Sequence, residues 1–355
     1  MTRQVALFAA ATLAPLPLLV AASFWGGGYV LLALGYLTLF TFALDELAGY
    51  AADPELPEAE FPAANGLSVA LALAHYVLIA LAVYALSGGT GLDWHEATGL
   101  FIAYGIFFGQ VSNSNAHELI HRPKKSLYRL GKWVYISLLF GHHTSAHRRV
   151  HHRYVATRSD PNSAKIGESF YAFAPRAWYG SLIEGYRAEK RLLKSARRSR
   201  WRHPYLEYFG GSAALMAAAA FVGGIDGLLA YVALCAYAQI QLLLSDYVQH
   251  YGLQRRIGPD GTPEPIGPSH SWNATHWFSN YLMLNAPRHS DHHAHPSKPF
   301  PALTLPHDDI APVLPHSLPV MSTVALFPNL WRRMMDQRLH ELHPERPVPA
   351  GLGVH

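Results

Sequence analysis

Cysteine is almost absent from this 355-residue chain: Cys235 stands alone, inside an apolar run. One thiol closes no disulfide and builds no thiolate metal site or iron–sulfur cluster. Charge is scarce too. Asp, Glu, Lys and Arg make up 15% of the residues, against roughly 25% in ordinary globular domains. Hydrophobic residues reach 50%, a balance that argues for a membrane over the two soluble domains the length would allow. The mean hydropathy is nevertheless only +0.07, so a large part of the chain sits in water. No internal repeat and no Gly-rich dinucleotide fingerprint is present, so electrons for any redox chemistry come from outside the chain.

Apolar runs approach the roughly 20 residues that cross a bilayer in six places: about 5–25, 29–44, 67–86, 97–115, 205–222 and 227–248. Pro15 and Pro17 are expected to kink the first. That run carries one early charge, Arg3, and no clean small-residue cleavage site, so it reads with the second as a helical hairpin rather than a signal peptide. Gly26 to Gly28, Ser87 to Leu92 and Gly223 to Asp226 read as short turns. The linker from Asp45 to Ala64 is acidic, and the tail after Leu342 is Pro-rich and expected to be poorly ordered. Between Arg122 and Arg202 lie 19 of the 28 Lys and Arg residues. By the positive-inside rule this segment is cytoplasmic, and six spans then put both termini inside. The expected fold is all-α and integral to the membrane: one domain, 1–355, whose water-exposed cap comes from 116–204 and 249–341. The net charge of +4 is orientation charge, and no nucleic-acid motif accompanies it.

Histidine is what the chain has in excess: 22 residues, mostly in tight clusters. His117-Glu-Leu-Ile-His121 places two imidazoles at i and i+4, on one helix face. The string also matches the H-E-x-x-H of zinc proteases. His147, His151 and His152 stand at i, i+4 and i+5; His289, His292 and His293 at i, i+3 and i+4; His250 closes the sixth apolar run. A mononuclear zinc site needs three or four ligands, whereas nine nitrogens suit two metals. Imidazole binds iron, copper and zinc alike, so spacing does not choose the metal. Burying so many imidazoles without a metal would strand polar atoms. A metal transporter would place its ligands near mid-membrane; these lie at the ends of the spans and in the cap.

The clusters sit in longer strings: Asn115-Ala-His-Glu-Leu-Ile-His-Arg122, His151-His-Arg-Tyr-Val-Ala-Thr157, Asp160-Pro-Asn-Ser-Ala164 and Gly167-Glu-Ser-Phe-Tyr171. Tyr247-Val-Gln-His-Tyr-Gly-Leu253, His270-Ser-Trp-Asn273, Arg288-His-Ser-Asp-His-His-Ala294 and Leu330-Trp-Arg-Arg-Met-Met-Asp336 follow. In order and spacing these resemble the membrane alkane hydroxylase family, relatives of the membrane fatty-acid desaturases and of the xylene monooxygenase membrane subunit. The resemblance implies a bacterial inner-membrane oxygenase with two irons, O2 as oxidant, and electrons from rubredoxin and its reductase. It implies His117, His121, His147, His151, His152, His250, His289, His292 and His293 as ligands, and hydroxylation of an alkane's terminal methyl group. Benzylic methyl hydroxylation and desaturase-like oxidation are the alternatives.

Four residues depart from the alkane pattern. Ala146 and Gln249 stand where Glu is usual, Val150 where Gly is usual, and Pro287 where Gln is usual; Gln249 matches the xylene-type enzyme. None is a presumed ligand, but each alters the ligands' surroundings. Glu118, His142, Gln249, His270 and Asp291 are expected to surround and orient the ligands, Glu118 not being a protease base in this family. His143 and His276 lie close to the clusters. His75, inside the third span, reads as a neutral ring bonded to a neighbouring helix. Leu37 and Phe40 are candidates for the wall of a substrate tunnel, on a face shared with Ala33, Leu34 and Leu44.

Overall fold

The computed structural model describes residues 3–48, 61–305 and 311–342. Among these, every regular element is a helix, and extended pairing is limited to two isolated bridges, Ile257–Pro263 and Asn273–Val313. The tail after Leu342 and most of the acidic linker lie outside the described residues.

Among the described residues, four helices are long and apolar enough to cross a membrane: α1 (Gln4–Trp25), α2 (Gly27–Leu47), α3 (Pro62–Gly89) and, after shorter elements, a 47-residue helix, Pro204–His250. The expected kink in α1 is slight. The helix is interrupted only at Ala14, which keeps helical angles and still donates to the Ala10 carbonyl at 3.2 Å. The fourth expected span is a helix, α4 (94–120), but it is not among those four. Gln110, Asn113, Ser114 and Asn115 dilute its hydropathy. Two of them bond within the protein: Asn113 donates to the carbonyls of Gly109 and Ala238, and Asn115 to that of Ser68.

Three helices then carry the cap: α5 (Lys125–Ser137), α6 (143–154) and α7 (Phe170–Ser195). The long helix is α8. Laid straight, 47 residues would reach about 70 Å, more than twice the roughly 30 Å of bilayer hydrocarbon. The helix is not straight. Gly223 and Gly224 leave helical geometry, Gly224 at φ +61°. A Cβ on Gly227 would lie 2.6 Å from the Ala219 carbonyl oxygen, which requires the chain to fold back there. The fifth and sixth apolar runs are thus two limbs of a hairpin, with its turn at the expected glycines.

His75 on α3 bonds the hydroxyl of Ser112 on α4 at 3.0 Å and that of Ser137 on α5 at 2.8 Å. One ring thereby bonds two neighbouring helices, in line with the expected contact to a neighbour. The main apolar core runs through α1 to α5 and α8, with Phe8, Leu100, Tyr104 and Phe108 at its centre. A second core lies beneath the end of α8 and holds Phe173, Tyr247, Tyr251, Trp272 and Trp331. It is cross-tied by Tyr247 to the Glu168 carbonyl and Tyr251 to Asp336. Short helices complete the cap: α9 (Trp277–Leu282), α10 (His289–Ala294), α11 (Leu318–Ala325) and α12 (Pro328–Leu342).

Candidate metal centre

All nine histidines singled out by spacing meet in the cap, and they divide into two groups. His117, His121, His147, His152 and His292 form one; His151, His250, His289 and His293 form the other. Within a group, one nitrogen of each ring lies within 4.8 Å of the others. His117 and His121 come from the end of α4, His250 from the last residue of α8. The remaining two clusters are split between the groups, which helical spacing did not foretell.

The split on α6 has a local cause. His147–His151 is a turn of π-helix, in which residue i bonds i+5 rather than i+4. The wider turn brings His152 over His147, their Nε2 atoms 2.9 Å apart, and swings His151 to the other group. On α10 the i, i+4 pair His289 and His293 shares one group, with Nε2 atoms 3.1 Å apart. His292 turns to the five-ring group, 3.1 Å from His152.

The donor chemistry fits a metal. His147 Nε2 faces His117 Nε2 at 2.8 Å as well as His152 Nε2. A ring nitrogen carries either one proton or one lone pair, so it cannot bond both. The Nε2 atoms of His121 and His151 are buried with no hydrogen-bond partner. Burial pushes His121, His147, His152, His289, His292 and His293 well below the ordinary histidine pKa, with neighbouring imidazoles adding to the shift. The neutral ring is the form that binds metal.

His151 differs. Burial is the largest single influence and lowers it, but the charge and hydrogen bond of Asp160 together with the charge of Asp246 outweigh burial and raise it. His151 Nδ1 lies 2.9 Å from Asp160 Oδ2, which aims Nε2 at the four-ring group. Asp160 also accepts from the Ser163 hydroxyl and the Asn162 backbone. Burial alone would raise Asp160, yet His151 and these donors hold it below the usual carboxylate range. A carboxylate behind an imidazole fixes the ring's tautomer and orientation.

The side chains expected to surround the ligands have other hydrogen-bond or packing partners. No hydrogen bond joins the side chain of Glu118, His142, Gln249, His270 or Asp291 to one of the nine rings. Glu118 pairs with Arg122 at 2.6 Å. His142 packs on Phe140 and Trp178, while its neighbour His143 stacks on His147. Gln249 bonds Ser245 and the Ala286 carbonyl, and His270 bonds Glu264. Asp291 orients His295 and Lys298, not a ring of either group. Asp160 fills the role instead. It lies nine residues from His151, beyond the reach of a helix-spacing argument, though inside one of the quoted strings.

A cavity of about 410 Å³ opens from the histidines, with His117, His147 and His289 at that end. Leu37, Phe42, Ile106, Leu242, Leu318 and Val320 are among its apolar lining. Leu37 is therefore on the wall, but Phe40 is not. Phe40 is 46% exposed and packs on Tyr36 and Phe278. Tyr36–Phe40 is another π-turn, so the buried face of α2 runs Ala33, Leu37, Thr41, Asp45 and Phe40 is rotated off it.

On the outer side of α6 a polar cleft is lined by Arg148, Arg149, Arg153 and Arg191. Arg148 is close enough to the five-ring group to lower His121 and His152, after burial and their fellow imidazoles.

Residues 92–325 match the family model described as fatty acid desaturase. The chain is 35% identical over 257 residues to the alkane 1-monooxygenase of Acinetobacter baylyi, a match spanning 71% of this chain and 62% of that protein. It is 31% identical over 334 residues to alkane 1-monooxygenase 1 of Pseudomonas aeruginosa, covering 89% and 84%. Against the xylene/toluene monooxygenase hydroxylase component of Pseudomonas putida it is 28% identical over 244 residues, covering 66% and 62%. With a shared core that takes in all nine histidines, the chain belongs to the fatty acid desaturase family, among the alkane 1-monooxygenases.

Proposed function

We propose that this protein hydroxylates the terminal methyl group of medium-to-long alkanes to primary alcohols, using O2, two irons and electrons from a rubredoxin. One observation carries the reading: two groups of convergent histidines, their rings held neutral in most cases by burial, border one end of a largely apolar cavity. Five and four imidazoles suit two metals, and imidazole is a good ligand for iron. When bound, two irons supply the reductive activation of O2 and the oxidation of an unactivated C–H bond.

The chain's own residues do the rest. The nine rings fix the metals, and Asp160 locks the orientation of His151. Leu37, Phe42, Ile106, Leu242, Leu318 and Val320 exclude water and bury methylenes at about 0.8 kcal/mol each. A straight alkane offers no polar handle, so one methylene more or less changes the rate only a few-fold to tenfold. Only the far end of the cavity can set a sharp length limit.

We infer six passes through a bacterial inner membrane: α1, α2, α3, α4 and the two limbs of α8. The fold-back of α8 supports this, since Tyr208 near its start bonds Ser145 on α6 at 2.8 Å and His250 at its end meets His289. Both limb ends thus reach the cap, which basic residues mark as cytoplasmic, with both termini on that side. The chain acts as a single membrane hydroxylase domain. The arginine cleft over α6 is where an acidic carrier such as rubredoxin would dock, steered by charge.

Benzylic methyl hydroxylation is the second reading, and Gln249 on the cavity wall favours it. Purified protein supplied with rubredoxin, its reductase and either octane, hexadecane or xylene decides. About two irons per chain and primary alkanols as products are expected. Xylene oxidation without alkane oxidation would select the second reading. One metal per chain, or turnover supported by zinc alone, would overturn both.

A further inference from the structure

Hydroxylation, as proposed above, needs protons as well as electrons: R–H + O2 + 2e⁻ + 2H⁺ → R–OH + H2O. O2 takes four electrons, two from the carrier protein and two from the C–H bond. One oxygen atom enters the alcohol, and the other leaves as water, taking up both protons. Near the histidines, most of the polar cavity wall cannot release a proton readily. Gln110, Gln241, Gln249 and Asn113 carry amides, Ser114 and Ser245 carry hydroxyls, and His143, stacked on His147, is pushed well below the ordinary histidine pKa by burial and so holds no proton to give. The phenol of Tyr135 is turned toward the Asn113 carbonyl at 3.3 Å.

Two carboxyls line the cavity, Asp45 and Asp246. Asp45 belongs to the α2 end, where it caps α9 by accepting from the backbone of Phe278 and Ser279 at 2.8 and 2.9 Å. Asp246 lies one helical turn before His250 and is 6% exposed. Its Oδ2 accepts from the Asn162 amide at 2.7 Å, and no described residue donates to Oδ1. Asn162 sits in the loop that also carries Asp160 and the exposed Ser159. Asp246 therefore has the cavity on one side and a single residue separating it from a water-exposed loop on the other. Gln249, three residues further along the same wall, carries an amide and has no acidic proton to give.

We propose that Asp246 is the group that holds and delivers a proton consumed in oxygen reduction at the histidine end of the cavity. Its carboxyl O–H breaks to supply one of the two protons, and the carboxylate is refilled from water on the loop side. This inference rests on the oxygenase reading. The carboxyl acts on oxygen and not on the hydrocarbon, so its loss touches kcat and leaves the alkane KM alone.

The test uses the full-length, iron-loaded protein with saturating rubredoxin. In Asp246→Asn, iron content and anaerobic reduction by the carrier should stay as in wild type. Turnover should fall at least tenfold at unchanged KM, and the solvent deuterium isotope effect on the residual rate should change. Asp246→Glu should restore most of the rate. In infrared spectra taken without turnover, the carbonyl stretch of a protonated carboxyl should vanish in Asp246→Asn. The proposal is overturned by wild-type turnover and isotope effect in Asp246→Asn. Loss of iron, which would make Asp246 a support for the Asn162 loop, overturns it too, as does a raised KM at constant kcat. Wild-type protein that forms no alcohol from any hydrocarbon overturns the oxygenase reading along with it. An active wild type with an unaffected Asp246→Asn overturns this inference alone.

Discussion

The two histidine groups are built from the same side chain yet stand in opposite electrostatic surroundings. The four-ring group is fully buried. A carboxylate backs it, since Asp160 holds His151 and its charge also reaches His250. The five-ring group is half-buried at three of its members and has the Arg148 guanidinium beside it. Negative charge behind a ligand strengthens its donation to a metal; positive charge nearby favours a more reduced one. The difference separates two tasks. The four-ring site is braced, and the five-ring site lies beside the arginine-lined cleft where the carrier is proposed to dock.

Removing one ring tests this contrast most severely. His250→Ala leaves three ligands in the braced group and should abolish turnover and release about one iron per chain. His121→Ala leaves four in the other and should retain most of its metal while losing activity. Equal iron loss in both variants, by elemental analysis, would erase the distinction. Next in size comes Asp160→Asn, expected to cost 10–100-fold in metal affinity or activity. Asp291→Asn, whose carboxylate orients only His295 and Lys298, should cost a few-fold at most. The support Asp160 gives is present at neutral pH and is lost as pH falls through its depressed pKa, so the two variants should converge in acid.

The surface side offers a milder test. Arg148→Glu with Arg153→Glu should raise the KM for the carrier protein several-fold and flatten its dependence on ionic strength. Screening already weakens such steering beyond a Debye length of about 8–10 Å. Iron content should not move; a salt response identical to wild type would place docking elsewhere. The smallest effect concerns the cavity, which borders both groups. Leu37→Trp should shorten the longest alkane oxidised while sparing octane, measured on chains of eight to sixteen carbons at matched iron content. An unchanged upper limit would put the end of the cavity away from Leu37.

Much of this was legible in the residues. Imidazoles at helical spacing announced a convergence of rings able to hold metal, and runs of apolar residues announced the helices. What stayed hidden traces largely to π-turns, which leave no mark in hydropathy. One on α6 divided His147 and His152 from His151, and one on α2 turned Phe40 away from the cavity while leaving Leu37 on it. Asp160 escaped because loops set its position, not periodicity. The fourth span fell short of a purely apolar helix because Gln110 and Asn113 serve its neighbours and the cavity rather than lipid.

The π-turn at His147–His151 also makes the metal centre a matter of reading frame along a helix. A π-turn amounts to one extra residue inserted into an α-helix. Deleting a single codon there would restore the ordinary pitch and rotate His152 by about 100° without altering any ligand's identity. Histidines serving both sites ride on that one short helix, so neither site can drift independently of the other. The spacing between them is inherited as a count of amino acids, and a lineage could lose the pair through one small deletion while every histidine survived in its genome.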